Sequence, residues 1–158
     1  MDLILVKYVH VLSSTLLFGT GIGTAFYLLV ASLSRDTHVV AVVARYVVIA
    51  DWLFTATTIV IQPVTGLYLA HRLHIPLGTP WLYWSLVAFG FAALCWLPVV
   101  WLQMRLRDIA EEADRTGEAL PARYGAFLGC WAALGVPALV SFLAIFFMMV
   151  ARRVPFIS

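Results

Sequence analysis

The stretch YGAFLGCWAALGVPALVSFLAIFFMMVA, residues 124–151, contains no charged side chain. The hydrocarbon core of a bilayer is crossed by about 20 apolar residues in a helix, and this stretch is longer than that. Three more runs without charge precede it, at residues 11–34, 52–71 and 73–104, when histidine is counted as neutral. Each of them meets or nearly meets the length of one crossing. The sequence therefore predicts four transmembrane helices.

The composition agrees with an integral membrane protein. Of the 158 residues, 63% are hydrophobic and 11% are charged, whereas roughly a quarter are charged in ordinary soluble domains. The first apolar run contains Lys7 and continues past Tyr27, so we expect it to remain as a helix rather than to be removed as a signal peptide. The net charge of +2 without a basic run does not favour nucleic-acid binding. Cys95 and Cys130 lack metal-ligand spacing and are interpreted as small packing residues.

The predicted fold is all-α, a single transmembrane four-helix bundle. Its helices are expected at about residues 3–33, 38–70, 81–104 and 124–151. Thr79 and Pro80 form a helix-start signal, since threonine can cap a helix and proline suits its first turn. The third helix is expected to continue beyond the membrane up to Gly117. Residues 105–123 are accordingly predicted to be an amphipathic connection.

The basic residues near the helix ends predict the orientation, because cytoplasmic loops carry an excess of lysine and arginine. The side with the first and third loops carries six such residues and the other side carries four. The two sets are Arg35, Arg45, Arg105, Arg107, Arg115 and Arg123, against Lys7, Arg72, Arg152 and Arg153. We therefore expect residues 105–123 in the cytoplasm and both termini on the outer side of the membrane.

The first helix carries a small, weakly polar face around His10. Residues on this face lie within about 40° of His10 at 100° per residue; they are Ser14, Leu17, Gly21 and Thr24. Two interpretations stay open and are compatible. Small residues allow two membrane helices to approach closely, and they also leave room for a flat cofactor beside the histidine.

The second helix carries a polar stripe at alternating spacings of four and three. Its members are Asp51, Thr55, Thr58, Gln62 and Thr65. A carboxylate at bilayer depth costs several kcal/mol unless it is paired or hydrated, so Asp51 is expected to face the bundle interior. The stripe is either an internal polar path or a structural feature, in which threonines bond to their own helix and Asp51 lies near Arg45. Pro63, beside Gln62, is predicted to kink the helix.

Three histidines are predicted on one side of the membrane: His10 in the first helix, and His71 and His74 at the end of the second. Neutral imidazole ligates haem iron and transition metals, and bundles hold such groups between two helices. The alternative is that His71 and His74 are headgroup residues beside Arg72. On a regular helix His71 lies opposite the polar stripe, so both would face the interior only if Pro63 rotated the register. Deeper aromatic residues, Trp96 and Trp131, are expected to pack the core or to flank a cofactor.

Four motifs carry a resemblance that covers most of the chain. They are KYVHVLSS at 7–14, GTAFYLL at 23–29, DWLFT at 51–55 and QPVTG at 62–66. These motifs resemble the bacterial four-helix integral membrane family known as domain-of-unknown-function family 2269. That resemblance implies a bacterial membrane protein, so the outer side predicted above would be the periplasmic side of the inner membrane. It does not imply an activity.

The first helix is also similar to that of the HemJ-type protoporphyrinogen oxidases, four-helix membrane proteins with a Lys-x-x-His near the start of the helix. In that group the histidine ligates haem b, so the resemblance implies that His10 binds the iron. The second axial ligand in the group is a lysine on a later helix. This sequence has no lysine other than Lys7, so His71 or His74 would have to replace it.

Two functional hypotheses follow. In the first, the protein binds haem b for electron transfer or membrane oxidoreduction, with quinone or another redox partner. His10 and a later histidine ligate the iron, Gly21 clears space for the macrocycle, and Lys7 or Arg72 pairs with a propionate.

In the second hypothesis, the protein is a non-enzymatic membrane subunit or a small cation or proton transporter that uses the polar stripe from Asp51 to Thr65. The fourth helix contains Gly125 and Gly129 four residues apart, a spacing that favours helix contacts. They are a candidate surface for a homo-oligomer.

Overall fold

The computed structural model describes residues 2–154, and this part of the chain consists of four long helices without a β-strand. Their bounds are Leu3–Ser34 (α1), Thr37–Arg72 (α2), Pro80–Thr116 (α3) and Ala122–Ala151 (α4). Each helix is long and apolar enough to cross a membrane. The predicted all-α architecture with four transmembrane helices is confirmed.

The helix ends follow the signals in the sequence. The Asp36 side chain caps α2 by accepting a hydrogen bond from the backbone N–H of Val39 at 3.1 Å, and α3 begins at Pro80 as predicted. Helix α3 continues to Thr116 and ends at Gly117, whose φ of 70° is in the left-handed region that glycine tolerates. Most of the predicted connection 105–123 is therefore helical, and the loop itself is short.

The main core lies near the end of the bundle that holds the first and third loops. It is formed by residues from all four helices: Leu28, Ala31, Val40, Ala41, Ala44, Val47, Val99, Leu102, Leu106, Ile109, Ala110, Tyr124 and Trp131. Alanines at the crossing of α2 with α3 allow the two backbones to come close. Leu106 and Ala110 on α3 are completely enclosed there.

Helix α2 changes its packing partner part of the way along. Its first segment, Thr37–Ala50, packs mainly on α3 and also contacts α1, whereas its last segment, Ala56–Arg72, packs on α1. Between them Asp51–Thr55 forms a π-helical turn. A π turn contains one residue more than an α turn, so the following residues are rotated by about 100°. The irregularity lies about three turns before Pro63, where the sequence analysis expected a kink.

Two polar side-chain pairs join α2 to the end of α3 beyond the membrane run. The His38 Nδ1 atom lies 3.0 Å from an Asp114 carboxylate oxygen, and the Arg45 Nε atom lies 2.7 Å from a Glu111 carboxylate oxygen. Pairs this exposed contribute little free energy, but they show that the first and third loops lie at the same end. The assignment of that end to the cytoplasm stays a prediction.

Helix α4 packs mainly along α3 and meets α1 through single side-chain contacts. The rings of Phe18 and Phe146 meet edge to face with their centroids 5.1 Å apart, and the hydroxyls of Ser32 and Tyr124 are 2.7 Å apart. The seam between α1 and α4 is therefore looser than the others. Cys95 is buried and Cys130 exposed, so the predicted packing role suits only the first.

Candidate functional site

A polar cluster joins α1 to α2 around the His10 ring. The Nδ1 atom of His10 lies 2.8 Å from the Thr65 hydroxyl oxygen, and its Nε2 atom lies 3.4 Å from the Gln62 amide nitrogen. The Ser13 hydroxyl donates a short hydrogen bond to the Gln62 amide oxygen. His10 therefore contacts two members of the predicted polar stripe, and the motif QPVTG forms one side of its surroundings.

The hydrogen-bond partners assign the tautomer of His10. The Thr65 hydroxyl oxygen lies 2.7 Å from the carbonyl oxygen of Ile61, which can only accept, so the hydroxyl donates there. Thr65 then accepts a hydrogen bond from the Nδ1–H of His10. The Nε2 atom is left with a lone pair, which faces the Gln62 amide nitrogen at 3.4 Å.

Gly66 allows the His10 ring to pack closely against α2. A Cβ atom built on Gly66 would lie 3.1 Å from the Cε1 atom of His10, tighter than most Cβ contacts. With any other residue at position 66 the ring would have to shift by a few tenths of an ångström. This close approach explains why glycine follows Thr65 in the motif.

The other residues predicted for the haem site, the candidate ligands His71 and His74 and the propionate partners Lys7 and Arg72, do not join His10. His71, His74 and Lys7 are exposed, and no hydrogen bond links them to His10 among the residues that the structure describes. The Arg72 guanidinium donates a hydrogen bond to the Tyr68 hydroxyl at 3.1 Å. Within residues 2–154 there is no group of three or more His, Cys, Asp or Glu side chains that could hold a metal ion.

A second polar cluster lies around Asp51, whose side chain is buried. The Thr55 hydroxyl donates to the Asp51 Oδ1 atom at 2.9 Å, and the Gln103 and Trp96 side chains approach the same carboxyl group from α3. Arg45 pairs with a residue of α3 instead, so the alternative that placed it beside Asp51 is not what the structure shows. Among the described residues, Asp51 has no partner in an ion pair.

A cavity of about 260 Å³ opens beside Asp51 and is lined by residues of all four helices. Its α1 wall includes Leu17, Gly21 and Thr24, which belong to the face predicted around His10. Gly21 thus lies at the cavity beside Asp51. Three members of the predicted face therefore line a space that belongs to the other polar cluster, whereas Ser14 is not among the residues that line it.

Three polar atoms beside this cavity lack a hydrogen-bond partner: the indole nitrogens of Trp96 and Trp131, and the amide oxygen of Gln103. The Gln103 and Trp131 side chains belong to residues only 4% and 5% exposed. A buried polar atom without a partner costs about 1–3 kcal/mol, and native structures contain few of them. The cavity therefore contains a free donor, the Trp131 indole N–H, and a free acceptor, the Gln103 amide oxygen, while the Trp96 indole is directed at the Asp51 carboxyl group.

The polar stripe is divided between these two clusters. Asp51 and Thr55 line the cavity, whereas Gln62 and Thr65 contact His10. The Thr58 hydroxyl, between them, donates to the carbonyl oxygen of Phe54 at 2.6 Å. The structural interpretation, in which threonines bond to their own helix, is right for Thr58 and also for Thr65.

The sequence analysis missed Gln103 as a site residue. A signal was present, because Trp96, Val99 and Gln103 have the spacing of one helix face and Gln103 is a polar residue at the end of the charge-free run 73–104. This face now lines the cavity. Trp96 and Trp131, which were expected to pack the core or flank a cofactor, lie at the cavity as well.

Comparison with known proteins gives one match. The sequence model of a family described as "Predicted integral membrane protein (DUF2269)" matches residues 4–153. No curated protein matches, and no solved structure matches either.

Proposed function

The chain belongs to this family of predicted integral membrane proteins, and on that premise we propose that its bundle binds a small organic cation within the bilayer. The Asp51 carboxylate is the counter-charge in this proposal. One observation carries it: a buried carboxyl group without an ion-pair partner lies at a cavity that also contains an unused acceptor, the Gln103 amide oxygen. The proposal develops the cation hypothesis made from the polar stripe.

The charge balance of the site supports a cationic ligand. An ionised carboxylate inside a membrane costs several kcal/mol unless a cation or water compensates it. Thr55 offers Asp51 a neutral donor, and the described residues give it no cationic one. A protonated amine supplies the missing positive charge and several N–H groups. One N–H can donate to Asp51, and a second can donate to the Gln103 amide oxygen. A quaternary ammonium group would leave that acceptor unused, so an amine fits better.

The walls of the cavity set the size and character of the ligand's body. Most of its lining is apolar, including Ile59, Leu139 and Phe142. A cavity of about 150 Å³ holds a benzene molecule, and this one measures about 260 Å³, so two fused rings with a short arm are a suitable match. The loose seam between α1 and α4 gives such a molecule a route from the lipid.

The test is a comparison of three probes with the same body: 1-naphthylmethylamine, 1-naphthalenemethanol and 1-naphthoic acid. Calorimetric titration of the full-length protein in detergent at neutral pH measures each dissociation constant. We expect the amine to bind about tenfold more tightly than the alcohol, as expected when about 1.4 kcal/mol of charge interaction is added, and the acid to bind weakest. Equal affinities for the three probes would disprove the proposed role of Asp51.

A cavity-filling variant provides the control for location. A Cβ atom on Gly21 would have no atom within 4 Å, so Gly21→Leu can place its side chain in the cavity without disturbing the backbone. This variant should weaken all three probes together. Amine binding that persists unchanged in Gly21→Leu would mean that the probe sits elsewhere.

A second proposal, haem b at His10, rests on the similarity of the first helix to the HemJ-type enzymes. One observation supports it: Thr65 holds the Nδ1–H of His10, an arrangement typical of metal-ligating histidines, in which the other nitrogen binds the metal. The surroundings as they stand do not fit a haem, because the Gln62 amide nitrogen lies 3.4 Å from Nε2 where the iron would have to approach. Iron ligation thus requires Gln62 to rotate away, and neither His71 nor His74 is joined to His10.

The visible absorption spectrum tests the haem proposal. The protein is produced with haem supplied and measured in oxidised and dithionite-reduced form, beside His10→Ala and the double variant His71→Ala/His74→Ala. The proposal expects a Soret band and a reduced α band that both variants weaken. A folded preparation without a Soret band would disprove the haem proposal. The predicted quinone or other redox partner would then lose its basis.

A further inference from the structure

A second, shallower cleft lies where α3 and α4 leave the membrane run, away from the Asp51 cavity. Its volume is about 400 Å³. It is lined by Trp101, Arg105, Asp108, Ile109, Arg123 and Phe127. The proposed binding of an amine does not use any of these residues.

The cleft contains two arginines and one aspartate, so positive charge is in excess. Neighbouring arginines at this end are paired: Arg107 with Asp108 at 2.6 Å and Arg115 with a glutamate at 2.6 Å. Arg105 and Arg123 form no ion pair with any described residue. Because the Asp108 carboxylate is already held by Arg107, the cleft presents two guanidinium groups that are free to bind an anion.

The floor of the cleft is aromatic. The rings of Trp101 and Phe127 meet edge to face with centroids 6.1 Å apart, and the Arg105 guanidinium lies 5.4 Å from the centre of the Trp101 ring. Trp101 is 48% exposed, although it lies within the charge-free run 73–104. An exposed indole at the end of such a run belongs at the membrane interface, where tryptophan is enriched.

These features together have the pattern of a lipid headgroup site. Guanidinium groups bind phosphate through paired, charge-assisted hydrogen bonds, and basic pockets between transmembrane helices bind the headgroups of anionic lipids. A soluble phosphate would satisfy the arginines but would leave the aromatic floor uncovered. An acyl chain that continues from the phosphate toward the bilayer would cover Trp101 and Phe127.

We propose that this cleft binds one anionic phospholipid, with Arg105 and Arg123 on its phosphate and the start of an acyl chain on Trp101 and Phe127. Binding of the lipid ties α3 to α4 at the interface. The proposal does not depend on whether the central cavity takes an amine.

Native mass spectrometry of the full-length protein with added phosphatidylglycerol or phosphatidylcholine tests the proposal. We expect one phosphatidylglycerol to bind at least about tenfold more tightly than phosphatidylcholine, and the variant Arg105→Gln/Arg123→Gln to abolish that preference. The matched control is Arg152→Gln/Arg153→Gln, which removes two exposed arginines from the opposite end and should keep the preference. Equal losses in the two double variants would show a general charge effect and overturn the proposal.

Two further arms complete the test. Arg105→Lys/Arg123→Lys keeps both charges and should retain part of the preference, which separates loss of charge from loss of folding. Millimolar inorganic phosphate should not displace the lipid, because it lacks the chain that covers the aromatic floor. Displacement by phosphate alone would identify a site for soluble anions and contradict the lipid proposal.

Discussion

The Asp51→Asn variant is expected to bind 1-naphthylmethylamine roughly 100-fold more weakly than the unaltered protein, a loss of about 2.7 kcal/mol, because the buried ammonium group loses its counter-charge. Without ligand, the same variant is expected to melt about 3 °C higher, because a neutral amide in the bilayer has no charge to compensate. The amide oxygen can still accept the hydrogen bond from Thr55. Titration calorimetry and thermal unfolding in detergent measure the two effects.

Replacing a carboxylate whose role is to bind a cation should weaken amine binding and raise the melting temperature of the ligand-free protein. Glu118→Gln is the control, because it removes one negative charge from an exposed loop position and should change neither quantity. If Asp51→Asn lowered the melting temperature and left amine binding intact, Asp51 would be a structural residue and the cation proposal would fail.

The Leu106→Ala variant is expected to lose roughly 2–3 kcal/mol of unfolding free energy. Leu106 is 0% exposed at the crossing of α2 and α3. Leu106 lies two residues beyond the charge-free run 73–104, so the loss combines the transfer of its side chain to water with the packing contacts that disappear and the space left behind. Titration with a denaturing detergent, followed by circular dichroism, measures this change.

Leu94→Ala is the control on the same helix. Leu94 is 68% exposed on the surface of the bundle, so its truncation exchanges contacts with lipid for other contacts with lipid and should cost little. Similar losses at the two positions would show that α3 is not packed as described.

The positions of the helices could be predicted from the sequence because each helix is determined by the residues within it and at its ends. A run such as 124–151 without any charge has few alternatives to a membrane helix, and Pro80 and Gly117 mark the two ends of α3 through their own backbone preferences. The pairing of helices is not local in this sense. It depends on which faces fit together, and the apolar faces of α1 and α4 are too similar to lipid for hydrophobicity alone to distinguish them.

The candidate sites were predicted in part for the same reason. His10 and Asp51 were identified because a polar residue stands out in an apolar run, and both face other helices. Their partners depend on the rotation of α2, which changes at the π turn. No residue of DWLFT predicts that turn. A regular helix therefore places Gln62 and Asp51 in one stripe. It could not predict that Gln62 contacts His10 or that Gln103 lies beside Asp51.

The π turn also matters for how relatives of this chain are to be compared with it. A family member that lacks the extra residue needs a gap of one position inside 51–55, although its helix would be uninterrupted. If such a sequence were aligned without the gap, every position from Ala56 to Arg72 would be matched to a residue from a different side of the helix. The partners of His10 would then look variable between proteins that share them.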